Sequence, residues 1–244
     1  MKKFGKVLAA LSMVVAILYG TMITGNAAEL EEAMDIAQAA VSFSGVKIDA
    51  TNTGVELVRT SGTTVTVEYL GVDNPNTYTV TNTIKDGVVT VTIKNSNGNP
   101  SINFGSDYKN VVRVNIPDAR YNTFALVLNQ APVKMQDFNA PIVVDAKRSA
   151  VTVSDIDISR GTYNITGNQG NVNITANIIS KNITINNLGT VTLTFNQKPE
   201  NLYLNIDSTT TSVPKGWSTN VTTFGNGTPQ INITNRGQTN VISK

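Results

Sequence analysis

The chain has 244 residues, is 40% hydrophobic and only 15% charged, carries a formal net charge of +2, and contains neither cysteine nor histidine. The missing cysteines exclude disulfides and thiolate chemistry, and the missing histidines exclude Ser-His-Asp and Cys-His catalysis, which need an imidazole. The low charge, without a basic stripe, argues against a nucleic-acid partner.

Residues 1–28 have the composition of a bacterial secretion signal. Three lysines precede an apolar stretch at 7–19, and a run of small residues ends at Ala28. This order predicts a signal peptide that is cleaved after Ala27 or Ala28, and hence a secreted or cell-surface-associated protein. The alternative is an uncleaved N-terminal membrane anchor, since the apolar stretch continues weakly towards the roughly 20 residues that span a bilayer.

Residues 29–41 predict a short amphipathic helix. Apolar residues recur at spacings of three and four from Leu30 to Val41, and acidic residues lie in the first turn. We interpret this segment as a helix that covers one end of the domain rather than as a partner-binding helix.

Residues 42–244 predict one β domain, because the period of the apolar residues changes to two from Val46 onward. Asp86-Gly87 precedes one of the strand-like runs and has the chemistry of a two-residue hairpin turn. A turn-rich stretch at 95–100 predicts a long surface loop before the strand pattern restarts at 111–117. The runs of this hairpin-rich first part lie at 46–48, 55–57, 65–69, 78–80 and 88–93.

Residues 118–244 predict shorter and more evenly spaced strands. Asn-Ile-Thr begins at Asn164, Asn173 and Asn182, at intervals of nine residues, and again at Asn232. Stacking of such units, with the isoleucines inward, predicts a β-solenoid, and a β-sandwich of short strands is the alternative. The strand centres are expected near Leu126, Val143, Thr152, Asn164, Asn173, Thr184, Thr192, Leu204, Val221, Asn232 and Val241.

Two polar patterns suggest specific functions, but the alternation of polar and apolar residues along strands also explains both patterns. The Asn-x-Thr triplets match the N-glycosylation pattern, but alternating polar residues around an apolar one produce the same triplet. Thr-x-Thr pairs also occur in ice-binding solenoids, yet here they are scattered, and the high β-propensity of threonine accounts for them. The pairs are Thr64/Thr66, Thr90/Thr92, Thr190/Thr192 and Thr192/Thr194.

Asp155 and Asp157, with Arg160 close by, place two carboxylates on one face of a predicted strand. Glycoside hydrolysis needs such a pair, and a Ca²⁺ site needs more oxygen ligands than this segment supplies. A solvated strand end is the simpler interpretation. The aromatic residues are spread singly and are interpreted as core residues, and Trp217, in a turn-like segment, is the first to test as a sugar-stacking residue.

The β domain resembles the putative-adhesin domains of bacterial cell-envelope proteins, a family largely of unknown function. The resemblance implies an all-β, right-handed β-solenoid-like fold and a surface or envelope-associated role, and it carries over no functional residues. The segments that support it are 54–57, 65–69 with Gly71, Tyr78, Asp86-Gly87, 114–117, the repeats and 229–233.

The sequence thus predicts a non-enzymatic exported protein with adhesin-like surface binding or an envelope-stress role. The alternatives are a polysaccharide-active β-helix lyase or hydrolase and a self-associating structural surface protein. We expect a glycan, a cell-wall polymer or a host surface as the partner, no nucleic acid and no small-molecule cofactor. No catalytic, cofactor-binding or metal-binding residue is predicted.

Overall fold

The fold is known from a computed structural model that describes residues 43–98, 100–136, 138 and 140–244, apart from the side chains of residues 155 and 156. The predicted signal peptide at 1–28 and the predicted helix at 29–41 lie outside the described residues and stay predictions. In the described part of the chain, no helix is long and apolar enough to cross a membrane.

The described residues form 17 strands and one short 3-10 helix at Pro75–Thr77. The strands are β1 (Gly45–Thr51), β2 (Gly54–Thr60), β3 (Thr66–Leu70), β4 (Tyr78–Lys85), β5 (Val88–Asn95), β6 (Val111–Pro117), β7 (Thr123–Asn129), β8 (Val133–Gln136), β9 (Ile142–Lys147), β10 (Val151–Ile158), β11 (Tyr163–Asn168), β12 (Val172–Ile179), β13 (Ile183–Asn187), β14 (Val191–Phe195), β15 (Leu202–Ser212), β16 (Val221–Phe224) and β17 (Gln230–Ser243).

The chain winds as a β-solenoid with two walls, which confirms the predicted fold class. From β7 to β14 successive strands alternate between the walls, and each strand pairs in parallel with the strand two places along the chain. Tyr163 therefore pairs with Ile183, and Val172 with Val191. The nine-residue Asn-Ile-Thr repeat is half a coil, because consecutive copies lie on opposite walls.

The first wall contains, in spatial order, β4, β5, β1, β7, β9, β11, β13, the first half of β17, the first half of β15, and β16. The second wall contains β3, β6, β2, β8, β10, β12, β14 and the second halves of β17 and β15. β15 and β17 are long enough to pass from one wall to the other.

Both ends of the solenoid depart from chain order. The coil formed by β1 and β2 lies between β5–β6 and β7–β8, and β17 lies between β13–β14 and β15. Antiparallel β3 and β4 cover one end, and antiparallel β16 covers the first wall at the other. An uncovered terminal coil offers strand edges that invite pairing with another chain.

One hydrophobic core fills the space between the walls. Inward residues of neighbouring strands stack in register, and full burial of each such side chain contributes roughly 1.5–3 kcal/mol. One stack in the first wall consists of the buried residues Ile48, Leu126, Val144, Ile165, Ile185, Ile233 and Ile206.

Backbone atoms approach closely at one corner of the coil. A Cβ on Gly189 would lie 2.1 Å from the carbonyl oxygen of Gly170, and a Cβ on Gly237 would lie 2.1 Å from that of Gly189. A Cβ on Gly170 would meet the carbonyl oxygen of Ser149 at 2.0 Å. Successive coils therefore stack at this distance only because these positions have no side chain.

The sequence predicted most strands correctly. All eleven strand centres expected beyond Pro117 lie within strands, and the Asp86-Gly87 turn joins antiparallel β4 and β5 with positive φ at both residues. Of the interruption predicted at 95–100, Asn95 ends β5, and residues 96–98 and Pro100 lie in the long connection between β5 and β6. The strand that the sequence analysis missed is β8, which has four residues.

Candidate functional site

Four side chains of alternating charge lie in a row on the outer face of the second wall. They lie at the end of the solenoid that β3 and β4 cover, which we call the first end. The strand register places Glu68 beside Arg113, Arg113 beside Glu56, and Glu56 beside Lys134. Arg113 Nε donates to Glu56 Oε2 at 2.9 Å, and Lys134 Nζ lies 3.6 Å from Glu56 Oε1. Arg113 Nη1 lies 3.6 Å from Glu68 Oε2. We call these four residues the charge ladder.

Tyr108 joins the charge ladder from the connection between β5 and β6. Its hydroxyl donates to Glu56 Oε1 at 2.9 Å and accepts from Arg113 Nη2 at 3.4 Å. Burial by itself would lower the pKa of Arg113, but its hydrogen bonds to Glu56 and Tyr108 outweigh burial and raise that pKa. Each charge in the ladder has a partner of opposite sign, so the ladder acts as a cross-strand clamp.

The outer face of the first wall is almost neutral at the other end of the solenoid. Four adjacent strands, β11, β13, and the first halves of β17 and β15, each present two outward polar side chains. We call these eight residues the amide-hydroxyl face, and Asp207 is the one ionisable residue among them. In register they form the row Asn164, Thr184, Asn232 and Asn205 and the row Thr166, Asn186, Thr234 and Asp207.

The side chains of the amide-hydroxyl face are largely unused by the protein itself. Within the described part of the chain, one hydrogen bond joins two of them, from Asn205 Nδ2 to Asn232 Oδ1 at 3.5 Å. Neighbouring strands are about 4.8 Å apart, and outward residues of one strand are about 6.6 Å apart. The face is therefore a regular grid of hydrogen-bond donors and acceptors directed to solvent.

An aromatic residue extends the amide-hydroxyl face by one further row. Tyr203 is half-buried, alternates with the inward Leu202 and Leu204, and pairs in register with Gln230. The backbone N–H of Gln230 donates to Asn182 Oδ1 at 2.9 Å, which ties this row to β13. The row thus places a phenol ring at the border of the neutral grid.

A groove of about 560 Å³ opens beside the Tyr203 row, where β12 and β14 end and β15 begins. Its lining includes the backbone neighbours of this row, Leu202 and Pro229. Ile178, which is 55% exposed, forms part of its apolar lining. Its lining also includes Asn177, Gln197, Lys198, Pro199, Glu200 and Asn201.

A family model described as Toastrack DUF4097 matches residues 43–198, which is more than half of the chain. The chain belongs to the Toastrack DUF4097 family. The resemblance to the putative-adhesin family is thereby confirmed. Among solved structures, the chain is similar to one described as a putative cell adhesion protein from Clostridium sporogenes. The identity is 14% over 83% of this chain and 94% of that chain, with a TM-score of 0.43. No curated protein matches.

The Toastrack match ends within the lining of the groove. Asn177, Ile178 and Lys198 lie inside the matched residues, whereas Glu200 and Pro229 lie beyond them. The strands β15 and β17, which supply half of the amide-hydroxyl face, also lie beyond the match. The candidate site is therefore assembled from the Toastrack part and from residues 199–244 together.

The acidic pair suggested by the sequence lies on an irregular part of the second wall. The register of β10 against β12 shifts on both sides of Ile156. Asp157 Oδ1 is buried and has no hydrogen-bond partner among the described residues. The side chain of Asp155 lies outside the described residues, so the pair stays a prediction. In the described part of the chain, no group of three or more acidic side chains is placed to hold a metal ion.

Trp217 packs onto the end of the core. Its half-buried ring lies 4.9 Å from the ring of Phe224 and 5.7 Å from that of Phe195, measured between centroids. Trp217 therefore packs against the end of the core beyond the Toastrack match, and the outward aromatic residue beside the neutral grid is Tyr203. Alternation of Tyr203 with two leucines was the sequence signal for its outward position.

Proposed function

We propose that this chain is exported and acts without catalysis, as an adhesin-like protein that binds a surface polymer at the cell envelope or outside the cell. The observation that carries the proposal is the amide-hydroxyl face, a regular array of polar groups that the fold itself leaves largely unused. A flat wall can contact an extended partner over many coils, whereas chemistry needs convergent groups around one reacting atom.

The composition of the chain supports the non-enzymatic part of the proposal. Histidine and cysteine, the usual general base and thiol nucleophile, are absent from all 244 residues. The strongest cluster of charges, the charge ladder, is paired within itself and holds strands together. The enzymatic alternative that the sequence offered rests on Asp155 and Asp157, and Asp157 Oδ1 is buried without a hydrogen-bond partner among the described residues.

Cell fractionation together with an activity assay tests the proposal. We expect the chain in the wall, membrane or medium fraction, beginning after Ala27 or Ala28, without release of reducing ends from cell-wall or plant polysaccharides. Retention of the full chain in the cytoplasm would overturn the export part. Polysaccharide cleavage that Asp157→Asn or Asp155→Ala abolishes would overturn the non-enzymatic part.

A further inference from the structure

We infer that the amide-hydroxyl face, with Tyr203 and the adjoining groove, binds an extended, uncharged polysaccharide. The inference rests on the proposed function, because it names the class of polymer that an exported surface-binding protein would meet. It assigns the binding surface to the outer face of the first wall, together with the adjoining corner where β12 and β14 of the second wall end, at the end of the solenoid distant from the charge ladder.

The charge balance of the surface selects a neutral ligand. Seven of the eight residues of the amide-hydroxyl face are asparagine or threonine. In the groove, Lys198 and Glu200 have opposite charges, and Lys198 Nζ lies over the Phe224 ring at 5.2 Å from its centroid. An acidic polymer would need several basic side chains along its path, and among these residues it would find one.

The hydrogen-bonding groups match a polyhydroxyl chain. Amides and hydroxyls each donate and accept, as sugar hydroxyls do, so the grid can pair with a glycan whichever way its hydroxyls point. Most of these side chains make no hydrogen bond within the described residues, so binding exchanges water without breaking protein contacts. The parallel register repeats the groups from strand to strand, which suits an extended chain that crosses the strands.

Tyr203 and the groove supply the apolar component that sugar recognition needs. A phenol ring offers an apolar face to the C–H groups of a pyranose while its hydroxyl stays solvated. Ile178, Pro199 and Pro229 line the groove together with the amides of Asn177 and Gln197. A ligand-binding groove typically combines such an apolar lining with a few polar groups that set orientation.

The second wall does not offer an equivalent surface. Thr152, Asn173 and Thr192 form one neutral row in register on its outer side. The neighbouring row is interrupted by the register shifts of β10 and by Ile242, which is 45% exposed. The regular two-row grid beside an aromatic ring and a groove therefore distinguishes the first wall.

A protein partner fits this surface less well than a glycan. Protein interfaces have cores enriched in aromatic and apolar residues. On this surface such residues, Tyr203 and Ile178 among them, lie at the border and in the groove, while the eight residues of the amide-hydroxyl face include none. The face complements a neutral polyhydroxyl ligand both in charge and in hydrogen bonding.

Affinity gel electrophoresis of the purified mature chain tests the inference directly. The probes are galactomannan, arabinoxylan and hydroxyethyl cellulose as neutral polymers, and polygalacturonate as an acidic one. The test variant is Thr166→Lys with Thr234→Lys, which flank Asn186 in the amide-hydroxyl face. The matched control is Thr152→Lys with Thr192→Lys, which flank Asn173 on the second wall in the same arrangement.

We expect at least one neutral polymer to retard the wild type and the control variant, and to bind the test variant about tenfold more weakly. Tyr203→Ala is expected to weaken binding, and Tyr203→Phe to retain most of it. Thermal melting must show that all variants fold.

Three outcomes would overturn the inference: retardation by polygalacturonate alone, equal loss in the test and control variants, or no retardation together with inhibition of ice recrystallisation. Failure of binding by a chain that fractionation finds outside the cell would refute this inference and leave export intact. Retention in the cytoplasm would refute the proposed function whatever the gel shows.

Discussion

The outer row of the second wall changes character along the solenoid. It begins with the charge ladder, from Glu68 to Lys134, and continues in register from Lys134 to Thr152, Asn173 and Thr192. The strands are alike, but the first group of side chains is paired within itself while the second is neutral and open. We call the coils from β10 onward the neutral half, because most outward residues of their strands are uncharged. The contrast shows that one β framework can carry outward side chains that pair with one another on some coils and neutral outward side chains on others.

The largest predicted effect concerns the close-packed corner of the neutral half. Gly189→Ala would place a Cβ 2.1 Å from a backbone oxygen of the neighbouring coil, so the coils must separate. We expect a loss of about 3 kcal/mol or more in the free energy of unfolding. Urea unfolding followed by circular dichroism measures it.

Gly98→Ala is the control for the corner, because a Cβ at Gly98 would have no atom of the described residues within 4 Å beyond its own chain neighbours. We expect its free energy of unfolding to stay within about 0.5 kcal/mol of the wild type. Equal stability of the Gly189 and Gly98 variants would show that the corner does not hold the neutral half together.

The second prediction tests whether the charge ladder stabilises the first end. Glu56→Gln removes the carboxylate that Arg113 and Lys134 share. We expect the free energy of unfolding to fall by about 2 kcal/mol. This is less than the loss for fully buried pairs, because both cations are partly exposed. Thr192→Ala, in the same row of the neutral half, should cost less than about 0.5 kcal/mol. A Glu56 variant as stable as the Thr192 variant would remove the contrast between the two groups.

The third prediction concerns the cap over the first end. Asn82 on β4 is buried, and neither atom of its amide has a hydrogen-bond partner among the described residues. We expect Asn82→Val to raise the free energy of unfolding by about 1 kcal/mol, because it removes an unpaired polar group from the core. Asn186→Val, on the solvent side of the neutral half, is the control and should leave stability almost unchanged. Destabilisation by Asn82→Val would mean that the amide is satisfied in solution.

The smallest effect is a loss of stability at alkaline pH. Burial, with a smaller contribution from Tyr78, raises the pKa of Tyr69 to about 12, and burial with Asp118 raises that of Tyr121 to about 12. The unfolded chain releases these protons near pH 10. The stabilisation is complete below pH 10 and is lost as pH rises towards 12.

After allowance for partial exposure, we expect this loss to be about a few tenths of a kcal/mol per tyrosine just above pH 10. Melting temperatures at pH 9, 10 and 11 measure the loss, and Tyr69→Phe should reduce the slope. An unchanged slope in that variant would mean that Tyr69 ionises in the folded protein as easily as in the unfolded chain.

Much of the fold could be predicted because the alternation of apolar and polar residues is visible within each strand. The isoleucines of the Asn-Ile-Thr units were expected inward, and Ile165, Ile174, Ile183 and Ile233 are all buried. The insertion of β1–β2 and of β17 between coils could not be predicted, because strand pairing over long separations leaves no local pattern. β8 was missed because it contains only two inward residues, Val133 and Met135.

The candidate site could be predicted only in parts. Outward threonines and asparagines were recognised one strand at a time, but the rows that join Thr166 to Thr234 depend on the register between distant strands. The groove combines turns that are separate in sequence. Trp217 drew attention because it lies in a turn-like segment, whereas its position at the end of the core follows from the path of the chain around β16.

An NMR titration of the asparagine side-chain amides tests the central claim most directly. The ligand is a soluble neutral oligosaccharide cut from whichever polymer retards the protein. The neutral grid on the first wall predicts that the signals of Asn164, Asn186, Asn205 and Asn232 shift, while those of Asn173 and Asn240 on the second wall do not. Shifts confined to Asn173 and Asn240 would contradict the claim.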